Sequence, residues 1–202
     1  VYNYEQGAFA QLSGICARTV QGKYGVLRPQ QLLGMIRATN DHVVRTSLVC
    51  LENTHNRGGG TIQPLEYVDG IRDWAKQNSL ATHLDGARLF NAVVESGVEL
   101  KRWCDGFDSV SVCFSKGLGA PVGSALAGSR DFIREARRAR KLFGGGMRQA
   151  GIIAAGALYA LEHNIQRLSE DHQHARLLAE AIERSPGLQL DPAPQTNIVV
   201  VR

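Results

Sequence analysis

Lys116 stands where a buried strand should run out. Val110 to Phe114 is a nearly continuous apolar and β-branched run, the pattern of a strand covered on both faces. Ser115 and Lys116 follow, and Gly117, Gly119, Pro121 and Gly123 then interrupt regular structure. An amine held by a tight loop at a strand exit loses hydration, which favours its neutral form and makes it a Schiff-base nucleophile. Taken alone, a Ser-Lys-Gly tripeptide describes a solvated loop lysine better. A second stretch changes that balance. Leu80-Ala-Thr-His-Leu-Asp-Gly-Ala-Arg88 is another short apolar run ending in polar residues. Asp85 sits at its exit, Gly86 makes the turn, and Arg88 opens the helical pattern Leu89 to Val94. Two parallel strands would put Asp85 and Lys116 on one carboxyl edge, where open α/β sheets bind ligands. An amine, a carboxylate and a guanidinium converging there suit pyridoxal 5'-phosphate. The amine forms an imine, and the carboxylate keeps the pyridine nitrogen protonated so that the ring accepts electrons. The guanidinium grips a substrate carboxylate bidentately. A surface ion pair between Asp85 and Arg88 at a helix start is the competing reading, ranked lower because the lysine element accompanies it.

The surrounding elements must hold these groups in place. Thr46 to Leu51 reads as a buried strand that runs into Glu52-Asn-Thr-His55. His55 therefore also lies at a strand exit. It can face the cofactor and assist proton transfer or hold a water, or it can simply donate hydrogen bonds to a loop; the two readings are equally good. Arg57-Gly-Gly-Gly60 lacks the Gly-Lys-Ser/Thr of a Walker loop and reads as a flexible connection. Leu65, Val68, Ile71, Trp74 and Ala75 mark one face of a helix from Pro64 to Asn78. This strand–helix–strand rhythm predicts an α/β fold, a mostly parallel sheet with flanking helices. Ser124 to Ala127 reads as a further strand and Ser129 to Leu142 as a helix. Gln149 to Glu162, apolar and small all round, reads as a helix buried at a packing or subunit interface. Asn164 to Arg184 is amphipathic, with Ile165, Leu168, His172, Ala175, Leu178 and Ile182 along one side. Leu188 to Leu190 and Asn197 to Val201 read as strands opening a small C-terminal α/β domain. The division is then 1–162, a cofactor-binding large domain, and 163–202, the beginning of the small one. Upstream, Tyr2 to Leu12 suits a short helix, Ser13 to Gly22 a strand, and Leu27 to Arg37 a helix begun by Pro29.

Composition narrows the class. The chain has 202 residues, 44% of them hydrophobic, enough for a large core, and a formal net charge of only +4. No apolar run is long enough for a membrane span, and no signal-peptide pattern opens the chain. The first residue is Val1, so a fragment or a processed product is expected. Cys16, Cys50, Cys104 and Cys113 lack metal-ligand spacing, which argues against a metal site and for free thiols in a reducing compartment, the cytosol. Cys50 and Cys113 fall in expected core strands, where a thiol packs as a small hydrophobe. Arg134, Arg137, Arg138, Arg140 and Lys141 make the helix after Ser129 cationic, but Asp131 and Glu135 interrupt it and no aromatic platform accompanies it. A solvated helix face explains it better than nucleic acid.

Four blocks together carry a resemblance. Leu51-Glu-Asn-Thr-His-Asn56, His83-Leu-Asp-Gly-Ala-Arg-Leu-Phe-Asn-Ala92, Ser115-Lys-Gly-Leu-Gly-Ala-Pro-Val-Gly-Ser124 and Gly144-Gly-Gly-Met-Arg-Gln149 resemble the threonine aldolase family, in the right order across the whole chain. The resemblance implies the large domain of a type I pyridoxal-phosphate enzyme plus the start of its small domain. It also implies cleavage of threonine, allo-threonine and related β-hydroxy amino acids to glycine and an aldehyde. Lys116 and His55 would be catalytic, and Ser115, Asp85 and Arg88 would contact the cofactor or substrate. Lys141 and Arg148 would reach the cofactor phosphate of a neighbouring subunit, which makes a homo-oligomer, dimer or tetramer, with a shared site. In the family a phosphate-binding turn and a ring-stacking histidine precede the region matching Val1, and a further carboxylate-binding arginine lies beyond Arg202. The alternative implied is a truncated, inactive relative that acts, if at all, by joining a full-length subunit. A basic binding module ranks third.

Overall fold

Three parallel strands built from the β-branched runs form the centre of the computed structural model, which describes residues 2–202. They are β1 (Leu48–Glu52), β2 (Ala81–Gly86) and β3 (Ser109–Cys113). A fourth strand, β4 (Ser124–Gly128), returns antiparallel on the outer edge of β3, so the sheet is mixed, in the order β1-β2-β3-β4. Helix α1 (Ala8–Ser13) precedes the sheet. Helix α2 (Leu65–Gln77) makes the β1–β2 crossover, and α3 (Leu89–Ser96) with α4 (Leu100–Cys104) makes the β2–β3 crossover. After β4 come α5 (Arg130–Leu142), α6 (Gly151–His163) and α7 (Leu168–Glu183).

Strand alternation divides the sheet into two unlike faces. On one face Leu51, Leu84 and Val110 pack with Val68 and Ile71 of α2, Leu89 and Ala92 of α3 and Trp103 of α4. On the other, register aligns Cys50, His83 and Ser109 in one row, and Glu52, Asp85 and Ser111 in the next. This second face is polar, half-buried, and carries the chemistry-bearing side chains. A second apolar cluster, with Phe90, Leu118, Ala120, Ala160 and Leu168, lies under the loop after β3 and joins it to α6 and α7.

Several expected elements came out differently. Ser13 to Gly22 forms no strand, and Leu27 to Arg37 shrinks to a single 3₁₀ turn, Pro29–Leu32. β1 is an edge strand with Leu48 exposed, so it is not buried throughout, and Cys50 is exposed rather than packed in a core. The glycine cluster is not a flexible connection: Gly58, Gly59 and Gly60 are buried. A Cβ at Gly58 would stand 1.9 Å from the Tyr24 carbonyl oxygen, and one at Gly60 2.5 Å from Thr196 Oγ1, so only glycine lets these segments meet. Helix α6 buries Ala160 while Ile152, Leu158 and Tyr159 are exposed within this chain. On α7, Ala179 takes the inward place expected of Leu178, which faces out. Leu190 and Val201 form one antiparallel bridge in place of two strands.

Candidate functional site

The loop carrying Lys116 is fixed at both ends by backbone geometry. Phe114 N–H donates to Gly123 O (2.9 Å), Gly119 N–H to Lys116 O (2.8 Å) and Ala120 N–H to Phe114 O (3.0 Å). Leu118 and Ala120 are buried beneath, and Asn164 Nδ2 donates to Leu118 O at 2.7 Å. Gly119 takes φ +75°, which the turn requires. Ser115 and Lys116 are held outward and exposed, with Lys116 Nζ 3.6 Å from Cys113 Sγ.

Asp85 lies on the neighbouring strand exit, and the parallel pairing of β2 with β3 puts both exits on one edge. Its Oδ1 accepts the Ala87 N–H at 3.1 Å. A carboxylate has further acceptor sites, so this bond leaves room for a ligand N–H. Two residues earlier on the same face, His83 Nδ1 is 2.8 Å from Ser109 Oγ and Nε2 3.5 Å from Ser111 Oγ. Burial pushes the His83 imidazole below its ordinary pKa, against the opposing pull of Asp85 and Ser109. Burial thus favours the neutral form of the imidazole beside Asp85. His83 belongs to the block quoted above, and its two-residue spacing from Asp85 on β2 puts the two on one face of the sheet.

Arg88 is half-buried at the start of α3, one turn beyond Asp85. His55 follows β1, whose last residue Glu52 is registered with Asp85. The imidazole is set by its neighbours: Nδ1 accepts the Gly58 N–H at 3.0 Å, and Glu52 Oε2 lies 3.8 Å from Nε2. Gly25 lies against the ring, where a Cβ would come within 2.1 Å. Between the two exits, Asn53 N–H donates to Asp85 O at 2.9 Å. Asn53 Nδ2 and Thr54 Oγ1, both buried, have no hydrogen-bond partner, a feature the sequence did not announce.

The structure does not bring Lys141 and Arg148 into this cluster. Both are exposed, at the end of α5 and just before α6, and Lys141 lies over Gly146, where a Cβ would be 2.7 Å from its Cδ. Along α5, Arg134 pairs with Asp131 (2.9 Å) and Arg138 approaches Glu135 (3.9 Å), both on solvent. Among the described residues, no group of three or more His, Cys, Asp or Glu is placed to hold a metal ion, and no helix is long and apolar enough to cross a membrane.

The beta-eliminating lyase family model matches residues 1–202. The low specificity L-threonine aldolase of Escherichia coli (strain K12) is 44% identical over 202 residues, which are 100% of this chain and 59% of that protein. The low-specificity L-threonine aldolase 1 of Arabidopsis thaliana is 40% identical over 203 residues, 98% of this chain and 57% of that one. An alanine racemase of Cochliobolus carbonum is 44% identical over 209 residues, 98% of this chain and 52% of the racemase. The Leishmania major threonine aldolase structure shares the fold, with a TM-score of 0.83 at 22% identity, over 98% of this chain and 58% of that one. The chain thus spans under 60% of the length of the relatives it matches.

Pyridoxal phosphate is the cofactor of beta-eliminating lyases. The donor set here fits it: a primary amine presented on a hydrogen-bonded loop and a carboxylate with spare acceptor capacity on the adjacent strand exit. The family model covers the full chain, and the sheet is that of the structural neighbours: this protein is a member of the beta-eliminating lyase family, similar in sequence to low-specificity L-threonine aldolases.

Proposed function

We propose that this chain carries the larger part of a pyridoxal-phosphate-dependent aldolase that cleaves L-threonine and L-allo-threonine to glycine and acetaldehyde. The observation that carries the reading is the placement of Lys116 and Asp85 at adjacent, parallel strand exits, with His55 on the third. Pyridoxal phosphate, when bound, supplies a sink for the electron pair left on Cα. Lys116 holds the cofactor through its amine, and Asp85 keeps the proton on the pyridine nitrogen. Ser115, beside the lysine, is a cofactor contact. Arg88 takes the substrate carboxylate and fixes its orientation. His55, or a water it holds, accepts the β-hydroxyl proton as the Cα–Cβ bond breaks. The aldehyde leaves, and protonation at Cα completes glycine.

The working form is a homo-oligomer, dimer or tetramer. Ile152, Leu158 and Tyr159 on α6 and Met147 before it give an exposed apolar surface that a second copy would bury. Lys141 and Arg148, beside that surface, reach the partner's cofactor phosphate. Residues 1–162 form the cofactor-binding domain and 163–202 begin the small one. The free cysteines suit the cytosol.

The racemase relative marks the competing reaction, because both chemistries weaken a bond at Cα. Incubation with pyridoxal phosphate, borohydride reduction and peptide mass should locate the label on Lys116. In unreduced samples of the assembled enzyme, threonine should give glycine and acetaldehyde in equal amounts. Label elsewhere removes the lysine assignment, and racemisation of alanine without threonine cleavage replaces the aldolase with a racemase.

A further inference from the structure

Helix α7 touches none of the groups assigned to the chemistry, yet it contains the most deeply buried histidine. His172 is 1% exposed. Its Nδ1 is 2.8 Å from Glu95 Oε2, and its Nε2 is 3.0 Å from Asn91 Nδ2. An amide N–H₂ only donates, so Nε2 accepts and the ring proton sits on Nδ1, directed at Glu95. Arg176 Nη1 closes the far side of that carboxylate at 3.1 Å. Glu95, His172 and Asn91 thus form a continuous chain running from solvent to the interior.

The inner end of that chain lies beside the Lys116 loop. A Cβ at Gly117, the residue after the lysine, would stand 2.8 Å from Leu168 Cδ2, and 3.8 Å from both Asn91 Oδ1 and Asp171 Oδ2. Leu168 also packs with Leu118 and Phe90. The seat of the loop is therefore made by α3 and α7 together, and of the side-chain bonds between those helices the buried ones run through His172 while Arg176 adds a solvent-side bond to Glu95. We infer that His172, with Asn91 and Glu95, is a positioning element for Lys116: it locks α7 to α3 and thereby fixes the floor on which the lysine loop rests. This rests on Lys116 being the cofactor lysine.

Two substitutions separate the two bonds. Gln at 172 reaches the Nε2 position and can still accept from Asn91; Asn at 172 reaches only the Nδ1 position and can still donate to Glu95. Leu fills the volume with neither bond. The measurement is amide hydrogen exchange of Gly119 and Ala120 in the cofactor-free chain, with α2 amides as the reference. Losing one buried hydrogen bond should speed exchange of the loop about tenfold if opening is local. Expected are near-native loop exchange in His172→Gln, about tenfold faster exchange in His172→Asn and His172→Leu, and unchanged exchange in α2. In the same samples, the rate of pyridoxal phosphate and borohydride labelling at Lys116, relative to Lys101, should fall in the two loosened variants and be retained by His172→Gln. Native loop exchange in His172→Leu overturns the inference, as does equal acceleration of loop and α2, which would mark a general loss of stability. Loop loosening as expected with no preferential labelling of Lys116 in the native chain leaves the clamp standing and removes the cofactor assignment.

Discussion

Gly25→Ala should disable the proposed base without touching it. Gly25 has φ +78°, and a Cβ built there falls 2.1 Å from His55 Cγ and 2.2 Å from Nδ1. Restoring an ordinary contact of 3.4 Å moves the ring by about 1.3 Å. That motion breaks the 3.0 Å hydrogen bond from Gly58 N–H, because the ring must leave the concavity lined by Gly25 and Gly58. Misplacing a catalytic group by about 1 Å costs on the order of 100-fold in rate. The left-handed backbone adds about 1–2 kcal/mol of instability that any L side chain would suffer there. Gly34→Ala supplies the control: Gly34 has φ +74° and nothing within 4 Å of a Cβ, so it carries the backbone penalty without the collision. Both variants should lower the midpoint of urea unfolding, Gly25→Ala somewhat more. Acetaldehyde release from threonine in the assembled enzyme, read through coupled NADH oxidation, should fall on the order of 100-fold in Gly25→Ala and stay within about twofold of native in Gly34→Ala. Equal turnover in the two variants would refute a proton-transfer role for His55 and return it to a loop-bracing one.

Asp85→Asn should depress turnover far more than substrate binding, since charge on the pyridine nitrogen matters most as the electron pair leaves the breaking bond; equal kcat in the two forms rejects the assignment. In assembled oligomers, subunits bearing Lys116→Ala and Arg148→Ala should complement, because one site in a mixed dimer regains both residues; mass-verified mixed dimers without recovered activity place Arg148 in its own chain's site. Asp69 offers a pH test of the scaffold. Hydrogen bonds from Arg102 first, at 2.9 and 2.5 Å, and then from Arg72 hold its carboxyl below the usual carboxylate range. A lowered folded pKa means the contribution is complete above the unfolded value of about 4 and is lost as pH falls through the folded one. Asp69→Asn should therefore lower stability near neutral pH and flatten the acid limb of an unfolding midpoint-versus-pH curve below about pH 4; an unchanged acid limb assigns that slope elsewhere.

The sheet and its site edge were legible because short β-branched runs end in polar residues at each strand exit. Glu52, Asp85 and Lys116 follow Leu51, Leu84 and the run that ends at Phe114, and their positions on one edge need only parallel pairing. What was not legible depends on partners distant in sequence. Gly58 to Gly60 read as slack because glycine marks both flexible chain and close approach, and only the Tyr24 carbonyl and Thr196 decide between them. Leu178 and Ala179 lie one position apart on α7, and periodicity alone could not say which of the two is buried. His172 read as one apolar-face position among six, since its partners Asn91 and Glu95 lie 81 and 77 residues away.

The buried glycine loop also dictates when the site can exist during synthesis. Thr196 Oγ1 donates to Gly60 O at 2.7 Å, and the Ile62 N–H donates to Gln195 Oε1 at 2.9 Å, contacts that join residues 136 and 133 positions apart. At roughly 5–20 residues per second, a ribosome adds Thr196 about 7–27 s after Gly60. Strands β1 to β3 and their crossover helices are complete long before that. The nascent chain therefore contains all the strands of the sheet while its His55 loop still lacks this outer wall. Closing so distant a contact is slow compared with forming the local ones. The wall of the His55 loop that Gln195 and Thr196 supply is thus added only after the strands of the sheet have been made.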